Sequence, residues 1–349
     1  MPAEVTTLAI DVGATRTRLA LVHGGRVAHR VESPTSILVA PSGLGNGLAE
    51  AARNLLARAN AVNGAMAAIG VSLAAAVDDR GDVVQERDFG IPAGGTLRVA
   101  LATAFEVPVA VNNDANLAAL AEHRHGAARG HDSAAVITLG SNIGLGLIVS
   151  GEVYRGANGM AGEAGLLLVP AVSTSERGNS RRRVDAGRFG SAPSAAPEGY
   201  AWIEELVGGR ALAAAASMRR GASVQETTES GGAHARILTR EAFADPALRP
   251  FAERAVEGWA LIIATVSALL DVEIVVLTGS LAADAAHLLN PLRRRVAELV
   301  ANPPEVVIGS LGPDAELIGA DLFARAALGR AANHYARAGL SAQSTGERR

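Results

Sequence analysis

The chain predicts an α/β protein of two lobes, and two observations predict it. Short apolar strand patterns alternate with longer stretches of helical period, and the order strands, helix, strand, helix runs through the chain twice. The 349 residues suffice for two such units, each with its own core. No short-period repeat is present.

The first round opens almost at once. Thr7 to Asp11 is a short apolar run stopped by Gly13. Arg16 to Val22 alternates apolar and polar, and Gly24-Gly25 makes a hairpin turn before Arg26 to Val31. Gly47 to Val62 has helical spacing, with Leu48, Ala51, Leu55 and Ala59 on one side. Ala67 to Leu73 predicts a buried strand, Thr96 to Phe105 a helix, Val107 to Val111 a strand, and Asp114 opens a helix to about Gly126. In the second round Ala134 to Leu139 is a strand, Gly140 to Gly146 is glycine-rich, and Leu147 to Ser150 is a strand that Gly151 turns into Val153-Tyr154. Ala171 to Pro197 is rich in Ser, Arg, Gly and Ala without period, so a mobile loop is expected there. Helical patterns follow at Tyr200 to Met218 and Arg240 to Leu270. Glu273 to Leu277 reads as a strand, Ala282 to Val300 as a helix, Val306-Val307 as a short strand and Ala315 to Ala338 as the last helix. The expected division places 1–113 with about 318–338 in one lobe and 114–317, including the loop at 171–197, in the other. Residues 339–349 form a polar tail.

Composition excludes several classes of function. With 49% hydrophobic and 19% charged residues the chain is of globular type. A net charge of −3 gives no strong attraction to nucleic acid or anionic membrane, and Arg181-Arg182-Arg183 is too short a basic run to change that. The absence of cysteine excludes disulfides and thiolate metal sites. No stretch reaches the roughly 18 to 20 apolar residues that span a bilayer, and Met1 to Thr7 carries no signal pattern, so a cytoplasmic location is expected. All 32 basic residues are arginine, so an Arg where a Lys is usual says little about altered chemistry. His123 and His125, at a helix end, read as surface residues.

Five places carry chemistry. In Asp11-Val12-Gly13-Ala14-Thr15-Arg16 an acidic residue ends a strand and a small-residue turn follows. Backbone N–H groups and the Thr15 hydroxyl of such a turn can meet phosphate oxygens, and Asp11 can hold a hydrated Mg2+. Taken alone, a glycine-containing hairpin has the same look. Gly140-Ser141-Asn142-Ile143-Gly144-Leu145-Gly146 is a second phosphate cradle or a tight β-turn. Asn112-Asn113-Asp114-Ala115-Asn116 packs three amides and a carboxylate where a strand opens a helix. Asp114 can serve there as an N-cap, yet four polar side chains exceed what a cap needs and suit polyol hydroxyls. Gly156 to Gly165 holds four glycines and Glu163, which brings backbone close to a neighbour unless it is a surface loop. Ile274 to Leu277 runs into Thr278-Gly279-Ser280, which suits the nucleotide side of a site or an ordinary strand-to-helix turn.

In this order and spacing, over roughly residues 5 to 335, the motifs resemble the ROK family (repressors, open reading frames and sugar kinases). Asp11 to Arg16 is similar to D-x-G-G-T-K, Asn113 to Asn116 to N-D-A-N, and Ala119 to Glu122 to A-L-x-E. Gly140 to Gly146 is similar to G-T-G-I-G-G-G and Gly159 to Gly165 to G-x-x-G-E-x-G, while Leu277-Thr278-Gly279-Ser280 stands at the adenosine-side glycines. The resemblance implies a two-lobed actin/hexokinase-like ATPase fold, ATP and Mg2+ as cofactors, a sugar hydroxyl as phosphoryl acceptor and a homodimer. It implies Asp114 as catalytic base and Asn113, Glu163 and Glu204 as sugar contacts. Asp11, Gly13, Thr15, Gly140, Ser141, Gly144 and Gly279 would hold the nucleotide, with Asp11 reaching Mg2+ through water.

The departures are informative. Leu166 stands where the family has a His that is both sugar contact and zinc ligand, and the three zinc cysteines are missing, so no zinc site is expected. The following loop is then released, and Glu204 must be placed by packing alone. Trp202 to Gly209 fits the frame C-L-E-x-y-a-S-G, which sets Glu204 at the second sugar glutamate with Glu205 as the off-by-one alternative. Ala74-Ala75 replaces P-G. Asn142 and Leu145 replace phosphate-motif glycines: Asn tolerates φ > 0, whereas Leu145 threatens close approach to a phosphate.

The leading expectation is ATP-dependent phosphorylation of a sugar or sugar-like hydroxyl. A non-enzymatic or catalytically weakened sugar-binding regulator is the second reading. A DNA-binding repressor is not expected, because the first strand starts near Thr7 and leaves no room for a helix-turn-helix domain. A non-hexose acceptor, such as an amino sugar or polyol, is the third reading, since Leu166 makes the pocket more apolar.

Overall fold

The computed structural model describes residues 5–39, 43–59, 66–84, 93–170, 196–219 and 238–329. It divides into two compact units. The first comprises the chain up to Leu117 together with the segment from Glu316 onward, and the second is Ala118–Ala315. The regions 171–195 and 330–349, which contain almost all of the expected loop and the whole polar tail, lie outside the described residues. Among the described residues no helix is long and apolar enough to cross a membrane.

The first unit is built on a five-stranded sheet in the order β3-β2-β1-β4-β5. Its strands are β1 (Thr6–Val12), β2 (Arg16–His23), β3 (Arg26–Pro34), β4 (Met66–Leu73) and β5 (Val109–Asn113). The meander β1-β2-β3 is antiparallel, while β4 and β5 run parallel to β1. Leu8, Ala9, Ile10 and Val12 are buried on successive positions of β1, as a central strand covered on both faces requires. Helices α1 (Thr35–Val39), α2 (Leu44–Arg58) and α3 (Thr96–Phe105) belong to this unit. Leu44, Leu48, Leu55 and Leu56 of α2 join the core with Ile10, Leu19, Ile69 and Leu101. Five residues are too few for a readable period, which is why α1 escapes a pattern search.

A helix over 315–329, here α10, completes this unit. It lies so close to β4 that a Cβ on Gly70 would sit 1.9 Å from the Ala320 carbonyl oxygen. Polar staples lock it in place. The Thr7 hydroxyl donates to Asp321, and Arg325 Nε donates to both Asp321 oxygens at 2.9 Å while its Nη2 reaches the Val5 carbonyl at 3.2 Å.

The second unit repeats the first sheet's plan. Its order is β12-β11-β6-β7-β8, again an antiparallel meander followed by two parallel strands. The strands are β6 (Ala134–Leu139), β7 (Ile143–Val149), β8 (Glu152–Val153), β11 (Ile274–Thr278) and β12 (Glu305–Ile308). A separate two-stranded ribbon joins β9 (Leu168–Pro170) to β10 (Tyr200–Trp202). Helices α4 (Asp114–His125), α5 (Ile203–Val207), α6 (Gly209–Arg219), α7 (Arg240–Ala244), α8 (Arg249–Leu270) and α9 (Leu289–Leu299) follow in chain order. The chain enters this unit within α4, after Leu117. Trp259, Ile262, Ile263 and Val266 of α8 pack with Ile137, Val275 and Leu277 in its core.

Four element expectations are corrected. β7 begins at Ile143 rather than Leu147: Ile143, Leu145 and Leu147 alternate inward, a period-2 signal masked by the intervening glycines. Tyr200 to Met218 is not one helix, because its first three residues pair with β9 and Gly208 separates α5 from α6. Arg240 to Leu270 breaks between Ala244 and Arg249, at a stretch containing Pro246. Ala282 to Val300 starts as a 3-10 turn over Asp284–Leu288 before α9.

Candidate active site

In the first unit the candidate residues gather at the C-terminal ends of β1, β4 and β5. Asp11 lies opposite Arg18 on β2 and Ser72 on β4. Arg18 donates to Asp11 Oδ2 from Nε at 3.0 Å and from Nη2 at 2.8 Å, and the Ser72 hydroxyl donates to Oδ1 at 3.0 Å. The carboxylate is 7% exposed, so these donors offset much of its desolvation. The turn beyond it closes with the Gly13 N–H on the Arg16 carbonyl at 2.9 Å. Thr35, the first residue of α1, holds that turn from outside: its hydroxyl donates to the Gly13 carbonyl at 2.7 Å and its N–H to the Thr15 carbonyl at 3.0 Å. Thr15 itself is exposed. Oδ2 takes both Arg18 bonds, whereas Oδ1 has capacity beyond the Ser72 hydroxyl. The residues therefore fit a hydrated Mg2+ reached through water at the Oδ1 edge. Arg18, Ser72 and Thr35 carry no motif signal; the β1–β2 and β1–β4 register brings in Arg18 and Ser72, and the β2–β3 pairing that ends at Pro34 brings in Thr35.

At the end of β5 the capping question has a definite answer. Asn113 Oδ1 accepts the Asn116 N–H at 3.1 Å, three residues on, which makes Asn113 the N-cap of α4. Its Nδ2 donates to the Ala75 carbonyl at 3.3 Å. Asp114 follows the cap, with Oδ1 on the Ala115 N–H at 2.8 Å, and is half-buried. Asn112 and Asn116 are buried, and Asn116 Oδ1 has no partner among the described residues. Further along α4, buried Glu122 accepts the N–H groups of Ala127 at 2.7 Å, Leu311 at 3.1 Å and Ser310 at 3.3 Å. That end of the A-L-x-E pattern is thus a structural anchor within the second unit.

The second unit holds the other candidates. The Gly140–Ser141 turn ends β6, with the Gly140 N–H on the Asn142 carbonyl at 3.2 Å. Gly279, at φ 92°, passes over β6 so closely that a Cβ would stand 2.7 Å from the Leu139 carbonyl oxygen. The Arg210 N–H at the start of α6 donates to the Ser141 carbonyl at 2.9 Å. Gly140, Ser141, Gly279 and the Gly208-Gly209 helix start thus form one backbone cluster, of which the last pair was legible only as part of a sequence frame. Gly144 lies within β7, paired with Thr138, rather than in the turn. Leu145 also lies in β7, buried at 5%, so its side chain fills the core and the expected threat to phosphate approach falls away. Asn142 is exposed and is not among the residues with positive φ, so no left-handed turn is needed there.

Glu163 precedes the 3-10 turn Ala164–Leu166. Gly162 before it, at φ 88°, would carry a Cβ 2.0 Å from the Leu145 carbonyl oxygen, which explains the demand for glycine in that stretch. Glu204 Oε1 accepts the Ile143 N–H at 3.1 Å, and Oε2 lies over Gly165. Glu205 is exposed and accepts the Trp202 N–H at 3.3 Å. Backbone pairing, and not packing alone, places the segment that carries Glu204. The ladder pairs Trp202 with Leu168, Ala201 with Val169 and Tyr200 with Pro170, and the Ile203 N–H adds a bond to the Leu167 carbonyl at 2.9 Å. This ribbon joins the Glu163 turn to the start of α5. Among the described residues no group of three His, Asp or Glu side chains can hold a metal ion.

Two units with the same five-stranded order define an actin/hexokinase-like, two-lobed α/β protein. The chain belongs to the ROK family, whose model matches residues 7–327. The N-acetylmannosamine kinase of Escherichia coli O139:H28 is 28% identical over 328 residues, covering 92% of this chain and 99% of that one. The bifunctional enzyme NanE/NanK of Brucella melitensis biotype 1 is 29% identical over 323 residues, or 91% of this chain. The chain spans about half of that relative, 54% of its length. Among solved structures, the ROK hexokinase of Thermus thermophilus superposes with a TM-score of 0.68 at 28% identity, covering 92% of this chain and 98% of that one.

Proposed function

We propose that this protein transfers the γ-phosphoryl group of ATP to a hydroxyl of a sugar or sugar-like acceptor, with Asp114 as general base. The observation that carries the reading is the division of labour at the start of α4. Asn113 is the N-cap of the helix, so Asp114 is not the cap residue and stands at the strand end that a base would occupy. Relatives named as sugar kinases, similar over more than nine-tenths of the chain, support the same chemistry.

Asp114 takes the proton from the acceptor hydroxyl as its oxygen attacks the γ-phosphorus, and ADP leaves with the displaced electron pair. Phosphoryl transfer is mostly positioning and charge stabilisation. The Asp11–Thr15 turn and the Gly140–Ser141 and Gly279 backbone are the phosphate and nucleotide contacts in this reading. Mg2+, held through water by Asp11, would neutralise phosphate charge. Glu163 and Glu204 bind acceptor hydroxyls, and Leu166 next to Gly165 offers that acceptor an apolar rather than a hydrogen-bonding neighbour. This favours an acceptor with an apolar substituent, such as an N-acylated amino sugar, over plain glucose. The test is ADP release with Mg-ATP over a panel containing glucose, N-acetylmannosamine, other amino sugars and polyols. Turnover that Asp114→Asn abolishes supports the reading. ATP-independent binding of a sugar without turnover would favour the regulator instead.

A further inference from the structure

The ion pair beside Asp11 extends to a residue that no motif contains. Arg18 Nη2, which donates to Asp11 Oδ2, also donates to Glu316 Oε2 at 3.3 Å. Glu316 is the second residue of α10, 305 positions from Asp11 in the sequence, and its side chain is 14% exposed. Burial, then the charges of Asp11 and of Asp114, push the Glu316 carboxyl up to about 8, with Arg18 pulling the other way. At neutral pH Arg18 therefore balances Asp11 as an ion pair, while Glu316 accepts its third bond as a neutral group. The guanidinium is thereby pinned from two sides, by a strand end and by the start of the last helix.

We propose that Arg18 and Glu316 are positioning residues for Asp11, so that the affinity of the first phosphate turn for Mg-ATP is set in part from α10. The proposal rests on the reading of that turn as a phosphate site. The reasoning is geometric. Without Glu316, Arg18 loses the α10 end of its support. Without Arg18, a buried carboxylate keeps Ser72 alone among these side-chain donors and faces a second carboxyl. In either case Asp11 no longer presents its Oδ1 edge in one orientation.

The test is calorimetric titration of Mg-ATP into the full chain and three variants, each shown by its thermal transition to be folded at the assay temperature. Glu316→Ala should weaken Mg-ATP binding by roughly tenfold, the loss of about one hydrogen bond to a charged group. Glu316→Gln, which keeps an acceptor oxygen for Arg18, should restore affinity to within about threefold. Arg18→Lys keeps the charge but not the two-pronged geometry, and should weaken binding by a similar factor of about ten. The acceptor KM should stay within about twofold throughout, a split that general destabilisation would not produce. If Glu316→Ala folds and binds Mg-ATP like the parent, or if Arg18→Lys does, the positioning role is wrong while the proposed function stands. If the parent chain binds no Mg-ATP, the proposed function fails and this inference falls with it.

Discussion

Replacing Gly165 with alanine sets one methyl group against the candidate acceptor carboxylate. The new Cβ would stand 2.6 Å from Glu204 Oε2 and 3.2 Å from its carboxyl carbon. Ordinary contact needs about 3.5 Å, so the carboxylate must retreat by roughly 0.9 Å. It cannot do so freely, because Oε1 holds the Ile143 N–H at 3.1 Å and the backbone of Glu204 is fixed in α5. Breaking one hydrogen bond to a charged group costs about 1.5 to 3 kcal/mol. A displacement of about 1 Å in a substrate contact can alone cost roughly 10²-fold in rate. Gly165 is not among the residues with positive φ, so alanine brings no backbone strain of its own. We therefore expect Gly165→Ala to lower kcat/KM for the acceptor by roughly 10- to 100-fold, with a loss of stability no larger than that one hydrogen bond. The assay is steady-state kinetics in both backgrounds, native and Glu204→Ala. Once the carboxylate is gone the methyl meets the residual Cβ at 3.3 Å in place of the carboxylate oxygen at 2.6 Å, so the second substitution should add little. Undiminished kcat/KM in Gly165→Ala, or an equal further loss on the Glu204→Ala background, would refute the assignment of Glu204 to the acceptor.

Three further outcomes are expected. Asp114→Asn should keep acceptor binding near that of the parent and lower kcat by about 10² or more, the usual loss of a general base; single-turnover and equilibrium binding measurements separate the two. Glu316, whose folded carboxyl sits at about 8 against an ordinary 4.5, favours the folded state in full below pH 4.5 and loses that contribution as pH rises to about 8, because there the folded chain holds a proton the unfolded chain has released. Denaturation curves should show Glu316→Gln gaining on the parent across that window by at most about 1.4 kcal/mol per pH unit, with no further gain above it. Asp321→Ala, which strands buried Thr7 and the partly buried Arg325 guanidinium, should lower stability by about 3 kcal/mol, read as a lower urea midpoint.

Much of this was legible in the chain because it is local. The strands β1, β4 and β6 are continuous apolar runs, and the helix of Thr96–Phe105 has a clear period. The amide-rich stretch around Asp114 signals more than a cap by its density of polar groups. What was not legible depends on register or on distant pairing. Arg18 and Ser72 flank Asp11 only because β1 pairs with β2 and β4, Thr35 reaches the turn beyond it because β3 pairs with β2, and Glu316 arrives from the far end of the chain. Nothing in Tyr200-Ala201-Trp202 distinguishes a strand from a first helical turn until Leu168–Pro170 is beside it, so the expectation that packing alone places Glu204 does not contain the ribbon. Leu145 looked like an intrusion into a phosphate turn because the turn was taken to extend through Gly146. The strand begins at Ile143, and the leucine belongs to the core.

The most direct test of the account is the release of ADP by the purified full-length chain from Mg-ATP in the presence of each member of a sugar panel. The account predicts turnover with at least one acceptor at kcat/KM of about 10⁴ M⁻¹s⁻¹ or more, an N-acylated amino sugar ahead of glucose, and loss of that turnover in Asp114→Asn. A panel without turnover, in a protein that binds no ATP, would contradict it.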